Sequence, residues 1–378
     1  MFKTISLVLI CFSLPVFLSA QNARHYGIKI GVMAPGTFNN ITDVPGVKVG
    51  HTTLIKGDSI RTGVTAILPF DGNIFQNKIP GAVFVANGFG KLAGSTQVNE
   101  LGNIETPIVL TNTLNVSTAM DALIEYTLNQ KGNGEVASVN AIAGETNDGF
   151  LNDIRGRHVS KADVFSAIKN ASSGDFAQGT VGAGTGTVCF GFKGGIGSSS
   201  RKLPASLGGY TIGVIVQSNF GGVLQIDGVP VGEELGKFSF RDKLLNNVDG
   251  SCMIVVATDA PLDHRNLYRL AKRAFLGLGK TGGIASNGSG DYVIAFSTDP
   301  GLRIPYDSKE PLLEQKLLNN DETSPLFMAA IEATEEAIIN SLFAATSVKG
   351  IRGHNVESIP LEKVLDILKK YNHIQNKP

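Results

Sequence analysis

The sequence predicts a layered α/β sandwich, with sheets buried on both faces and helices covering them. Three observations lead there. Six short runs are almost continuously apolar, and helical patterns with one apolar face interleave with them. Glycine marks the joints: 45 glycines occur among 378 residues, where an average chain of that length would hold about 26. They follow no period, which excludes a collagen-like or simple repetitive chain, and they sit singly at turns between apolar runs.

In chain order, GVTAILPF (63–70), AVFVANG (82–88) and PIVLTNT (107–113) read as strands. Their lack of polar alternation requires cover on both sides. A helix follows, capped by Ser117 and running through MDALIEYTL. YTIGVIVQ (210–217) and CMIVVAT (252–258) are the next strands. After Asp259-Ala260-Pro261, a helix places Leu267, Leu270, Ala271, Ala274 and Phe275 on one face. DYVIAFST (291–298) is the last strand, and the polar stretch 299–324 reads as a solvated surface excursion. Ser324-Pro325 opens a third helix as cap and first-turn pair, with Phe327, Ile331, Ile338 and Leu342 as its apolar stripe. No repeat and no Pro- or Ser-rich linker divides the chain.

Residues 1–20 have the layout of a secretory signal peptide: Lys3, an apolar stretch from Ile5 to Leu18, then Ser19-Ala20. They are too short to span a bilayer, and no later segment reads as a span. The expectation is an exported protein, periplasmic or extracellular, with residues 21–378 as a single domain. Lys+Arg and Asp+Glu each total 33, so no net charge draws the chain to nucleic acid or to an anionic membrane. Cys189 and Cys252 are too few for a disulfide framework, and the six histidines show no metal-ligand spacing. No metal or other cofactor is expected.

Two glycine-rich segments tempt and fail. AFLGLGKTGG (274–283) has phosphate-loop composition, but a helix precedes it and a strand follows, the reverse of what phosphate binding at a helix start demands. Gly277 and Gly279 therefore read as a helix stop. GAGTGTVCFGFKGGIGSSSR (182–201) lacks the third glycine of a dinucleotide fingerprint, with Thr187 in its place, and reads as a surface loop.

The stretch NNVDGSCMIVVATDAPL (246–262) leaves two readings open. Asp249-Gly250 can be a hairpin turn with Ser251 merely starting a strand. Alternatively, Gly250-Ser251 is a bond the protein cuts itself, leaving Ser251 as a new N-terminus and nucleophile. A serine hydroxyl can attack the preceding carbonyl to give an ester that water hydrolyses. The α-amine so freed titrates near neutrality and can serve as the base.

The segments NITDVPGVKVGHTT (40–53), TGVTAILP (62–69), NGFGKLAGSTQVNELGNIETPIVLTNTLNV (87–116), ETNDGFLND (145–153), GTVGAGTGTVCFGFKGGIGSSSR (179–201), QSNFGG (217–222) and DGSCMIVVATDAPL (249–262) together resemble the DmpA-like aminopeptidases. That family comprises the L-aminopeptidase D-amidase/D-esterases and the β-peptidyl aminopeptidases, and the likeness runs through nearly the whole mature chain. It implies a four-layer αββα sandwich, shared with the ornithine acetyltransferases and resembling N-terminal-nucleophile hydrolases with different connectivity. It also implies self-cleavage at Gly250-Ser251 into chains 21–250 and 251–378, assembled as a tetramer of such heterodimers.

By position, the resemblance makes Ser251 the nucleophile and Asn219 the oxyanion donor. Ser289 and Asp291 become the pair that orients the nucleophile, and Glu145 the carboxylate that receives a substrate's free ammonium group. Relatives often carry Glu where this chain has the shorter Asp291, and some carry a tyrosine beside the nucleophile where it has Asn147, which the resemblance groups with Glu145 as substrate-binding. The implied activity is that of a serine aminopeptidase acting on peptides, amides or esters with a free amine, with β- or D-residues among the candidates. Acyl transfer of the ornithine-acetyltransferase type and an inactive binding protein on the same fold are the competing readings.

Overall fold

The computed structural model describes residues 22–241 and 250–374; the expected signal segment and Asp249 lie outside them. The strands are β1 (Lys48–Lys56), β2 (Ile60–Leu68), β3 (Asn77–Gly88), β4 (Leu92–Ala93), β5 (Asn103–Ile104), β6 (Ile108–Asn112), β7 (Ile142–Thr146), β8 (Val188–Cys189), β9 (Phe192–Lys193), β10 (Gly195–Lys202), β11 (Thr211–Asn219), β12 (Ser251–Thr258), β13 (Gly290–Ser297) and β14 (Ile304–Pro305). The helices are α1 (Ser95–Leu101), α2 (Val116–Leu128), α3 (Lys161–Lys169), α4 (Val231–Glu234), α5 (His264–Lys280), α6 (Ser324–Phe343) and α7 (Leu361–Lys370).

Two sheets stack face to face. One runs β1-β2-β6-β7-β4; the other runs β10-β11-β12-β13-β3-β14, with β5 also on β3. Side-chain alternation sorts each central strand between two cores. Cys252, Ile254 and Val256 face α5 and α6, whereas Met253, Val255 and Ala257 face the other sheet. Across the gap, Ile67, Ile108, Leu110 and Ile142 meet them, while Val64, Ala66, Val109 and Ala143 face α2 and α3. The layers are therefore helix, sheet, sheet, helix, which is why these strands carry no polar alternation.

Four details differ from the expectations. Ser117 lies inside α2, and the preceding Asn112 side chain accepts the Leu114 and Asn115 N–H groups instead. Neither Gly277 nor Gly279 stops α5, which continues to Lys280. A Cβ at Gly277 would lie 2.6 Å from the Ile331 carbonyl oxygen, so this glycine lets α5 and α6 touch. α6 has no single apolar stripe: Glu332, Glu335, Glu336 and Asn340 are also buried. Arg201 of β10, with no exposed side-chain surface, pairs with Glu332 at 3.0 Å and Glu336 at 2.8 Å, and Arg24 joins Glu336 at 2.8 Å. Finally, residues 182–201 are not a surface loop, since all but Val188 and Gly191 are buried and the last seven belong to β10.

Candidate active site

Strand register builds the centre of the site. Asn219, the last residue of β11, pairs with Ser251, the first of β12, and Ser251 pairs with Gly290 at the start of β13. The β11–β12 pair is antiparallel and the β12–β13 pair parallel, so the end of one strand and the beginnings of two others share one rim. Alternation puts Ser251 on the inter-sheet face with Met253 and Val255. Asn219 shares that face, two residues beyond Gln217, whose amide donates across the gap to the Thr111 carbonyl and the Thr146 hydroxyl. Asp291 points to the opposite face with Val293 and Ala295.

The hairpin reading of Asp249-Gly250 rests on Asp249, which lies outside the described residues; Ser251 does open a strand, and the antiparallel neighbour of that strand ends at Asn219. The Ser251 hydroxyl donates to the Gly250 carbonyl oxygen at 2.7 Å. The Gly290 N–H donates to the same oxygen at 3.1 Å. The attacking group thus lies beside the carbonyl of the bond in question, and a fixed backbone donor polarises that carbonyl. Glycine is required at 250 by proximity, since a Cβ there would lie 2.6 Å from the Phe220 Cα and 2.8 Å from the Asn219 carbonyl oxygen. Ser251 itself is buried.

Asn219 is a strand residue and buried, not a turn residue. Its Oδ1 accepts the Val188 N–H at 2.9 Å. That bond uses the amide's acceptor end and leaves the Nδ2 donors for another partner.

Ser289 and Asp291 are both buried, and the Ser289 hydroxyl donates to Asp291 Oδ1 at 2.9 Å. The shorter side chain therefore reaches its serine. Burial pushes the Asp291 carboxyl up to about 6, against the opposing pull of the Ser289 hydroxyl and the Cys252 N–H. Since Asp291 and Ser251 lie on opposite faces of the sheet, the carboxylate sits on the side of the Ser251 backbone away from its hydroxyl.

Glu145, at the end of β7, is buried and does not cap the turn that follows it. It accepts the Lys91 N–H at 3.0 Å and a short hydrogen bond from the Thr113 hydroxyl. Burial raises its pKa, and those two bonds together with the Lys91 charge oppose the rise. Gly90 links Glu145 to the rim: a Cβ there would lie 3.2 Å from Glu145 Oε1, 3.2 Å from the Tyr292 ring and 3.3 Å from the Gly290 Cα. Asn147 is exposed, and its Oδ1 accepts the Gly149 N–H at 2.9 Å; no bond joins it to the other site residues.

Sequence reasoning missed the Gly290 and Val188 N–H groups and the Thr113 hydroxyl. Backbone donors leave no side-chain signature, and only strand register reveals them. Among the described residues, no group of three or more His, Cys, Asp or Glu side chains could hold a metal ion, and no helix is long and apolar enough to cross a membrane.

Comparison with known proteins agrees with the layered fold. Residues 39–356 match the model of peptidase family S58. The chain is 40% identical over 373 residues to the β-peptidyl aminopeptidase BapA of Sphingosinicella microcystinivorans, covering 93% of each. It superposes with a TM-score of 0.86 on a β-aminopeptidase of a Burkholderia species at 42% identity, covering 95% of this chain and 100% of that one. The L-aminopeptidase D-Ala-esterase/amidase of Ochrobactrum anthropi, described as a prototype serine aminopeptidase with a variant N-terminal-nucleophile hydrolase fold, gives a TM-score of 0.86 at 34% identity, covering 94% and 99%. With its four layers matched along nearly their whole length, the chain belongs to peptidase family S58.

Proposed function

We propose that this protein is an exported, self-processing serine aminopeptidase that removes the N-terminal residue from peptides, amides or esters carrying a free amine. The observation that carries the reading is the contact of the Ser251 hydroxyl with the Gly250 carbonyl, polarised from the other side by the Gly290 N–H. Attack of Oγ on the Gly250 carbonyl carbon breaks the Gly250-Ser251 amide and forms an ester. Water then hydrolyses it to a Gly250 carboxylate, a free Ser251 hydroxyl and a free Ser251 α-amine. The expected chains are 21–250 and 251–378, assembled as a tetramer of heterodimers.

In the cut enzyme the α-amine takes the Oγ proton as Oγ attacks the substrate's carbonyl. Asn219 Nδ2 donates to the oxygen that becomes negative, an interaction whose removal elsewhere costs roughly 2.7–4 kcal/mol of barrier. The proton passes to the departing amine, and water releases the acyl group from Ser251. Glu145 receives the substrate's ammonium group, a charge-assisted contact that explains selectivity for unblocked N-termini. The names of two relatives support β-amino-acid residues at the substrate's N-terminus.

A denaturing gel with intact-mass measurement tests the reading. The native protein should yield two fragments meeting at 250/251, and S251A one uncut chain. Active protein with an intact bond at that point would overturn it.

A further inference from the structure

The buried segment 182–194 carries chemistry that the proposed reaction does not use. Lys193 has no exposed surface. Its Nζ donates to the Gly184 carbonyl at 2.8 Å and to the Gly194 carbonyl at 2.7 Å, and the Thr187 hydroxyl donates to the same Gly184 oxygen at 3.0 Å. In the small β8–β9 hairpin, Lys193 pairs directly with Val188. Val188 is the residue whose N–H holds Asn219 Oδ1. Gln217 ties the upstream end of the segment down, donating to the Ala183 carbonyl at 2.9 Å.

We infer that Lys193 is a positioning residue for the oxyanion donor: by clamping both ends of the segment that presents the Val188 N–H, it sets the direction in which the Asn219 amide points. The inference rests on the oxyanion role proposed for Asn219.

The chemistry of the clamp suits a buried amine. An ammonium offers three donors and a neutral amine two, so the two carbonyls stay satisfied in either form. Burial pulls the Lys193 pKa down to about 7, opposed by Cys189 and Asp148. Asp148, itself fully buried, lies against the same segment, since a Cβ on Gly186 would come 2.8 Å from the Asp148 Cβ. A methionine at 193 fills similar space but removes the Nζ donor from both carbonyls, leaving the Gly184 oxygen only the Thr187 hydroxyl and freeing the segment to shift.

A double-mutant cycle on the cleaved enzyme tests this, with kcat normalised to the cut fraction on a gel. The substrate is whichever of β-alanyl and L-alanyl para-nitroanilide the native protein hydrolyses faster. N219A should lower kcat about 100- to 1000-fold. K193M should lower kcat about tenfold or more, with KM within about twofold, and should cost less than about twofold further in the N219A background. A full loss from K193M on top of N219A, a change in KM alone, or unchanged kinetics would overturn the inference. No loss from N219A would instead overturn the oxyanion reading itself. If K193M does not fold, T187V, which removes one donor to the Gly184 carbonyl, carries the same cycle with a smaller expected loss and the same criteria.

Discussion

The Gly290 nitrogen and the Gly250 carbonyl oxygen are 3.1 Å apart, a bond that ties the residue just before β12 to the first residue of β13. That bond spans the parallel β12–β13 step, so the carbonyl's position is set by the sheet, not by a loop. Its orientation depends on how closely residue 250 can lie against Phe220. In G250A the added Cβ meets the Phe220 backbone, and a displacement of an ångström at a reacting centre costs about a hundredfold in rate. Precursor conversion followed on gels over time should slow by about that factor, while circular dichroism remains native. Unimpaired conversion would show that the close contact does not matter.

If Asp291 orients the nucleophile as proposed, activity should be sensitive to acid. Its carboxyl is raised from an ordinary 3.8 to about 6 by burial, so as pH falls through about 6 it gains a proton and loses the charge to which Ser289 donates. Activity should decline on that acid limb, and D291N should be slow at every pH and lack the limb. Stability moves the other way. A raised folded pKa favours the fold fully below the unfolded value, and that contribution is lost as pH rises through about 6. D291N should therefore be at least as stable as the native chain at neutral pH, measured by denaturant unfolding.

Glu145 should govern recognition and not the chemical step. A hydrogen bond to a charged group contributes about 1.5–3 kcal/mol, so E145Q should raise KM for a free-amine substrate roughly tenfold to a hundredfold. Its kcat should change much less, and the discrimination against Nα-acetylated substrates should shrink. A fall in kcat at constant KM would place Glu145 in the chemical step instead.

Arg201 supports the fold from a distance. R201M would leave Glu332 and Glu336 charged inside the helix-sheet core with only Arg24 beside Glu336. Breaking a buried ionic network in this way costs about 3–5 kcal/mol. Urea unfolding in the uncut S251A background should show that loss. An unchanged midpoint would mean that the two glutamates take up protons and lose their charge.

What could be read in advance follows from chemistry. β6, β11, β12 and β13 announce themselves because both faces are apolar, and the covering of the sheets follows from that. β10 is hidden because GSSSR resembles a loop; Ser199, Ser200 and Arg201 are satisfied by Asn39, Asp43, Glu332 and Glu336, partners more than a hundred residues away. The position of α6 is legible, but its buried carboxylates Glu332 and Glu336 make sense only beside Arg201. At the site, likeness points to Ser251, Asn219, Ser289 and Asp291; strand register puts Asn219 beside Ser251 and Asp291 beside Cys252, on the other face of the sheet. Lys193 is not legible in advance because a lysine in a glycine-rich stretch looks like part of a solvated loop until its two carbonyl partners are known.

The parallel β12 sits between β11, which precedes residue 250, and β13, which follows it. A nick at 250/251 would remove one covalent link and none of the ladder bonds on either side, so the fragments would stay interleaved through the middle of a sheet. Once melted, they would have to find each other by diffusion. Refolding of the mature enzyme then becomes a bimolecular event whose rate rises with protein concentration, whereas the uncut precursor refolds as a single molecule.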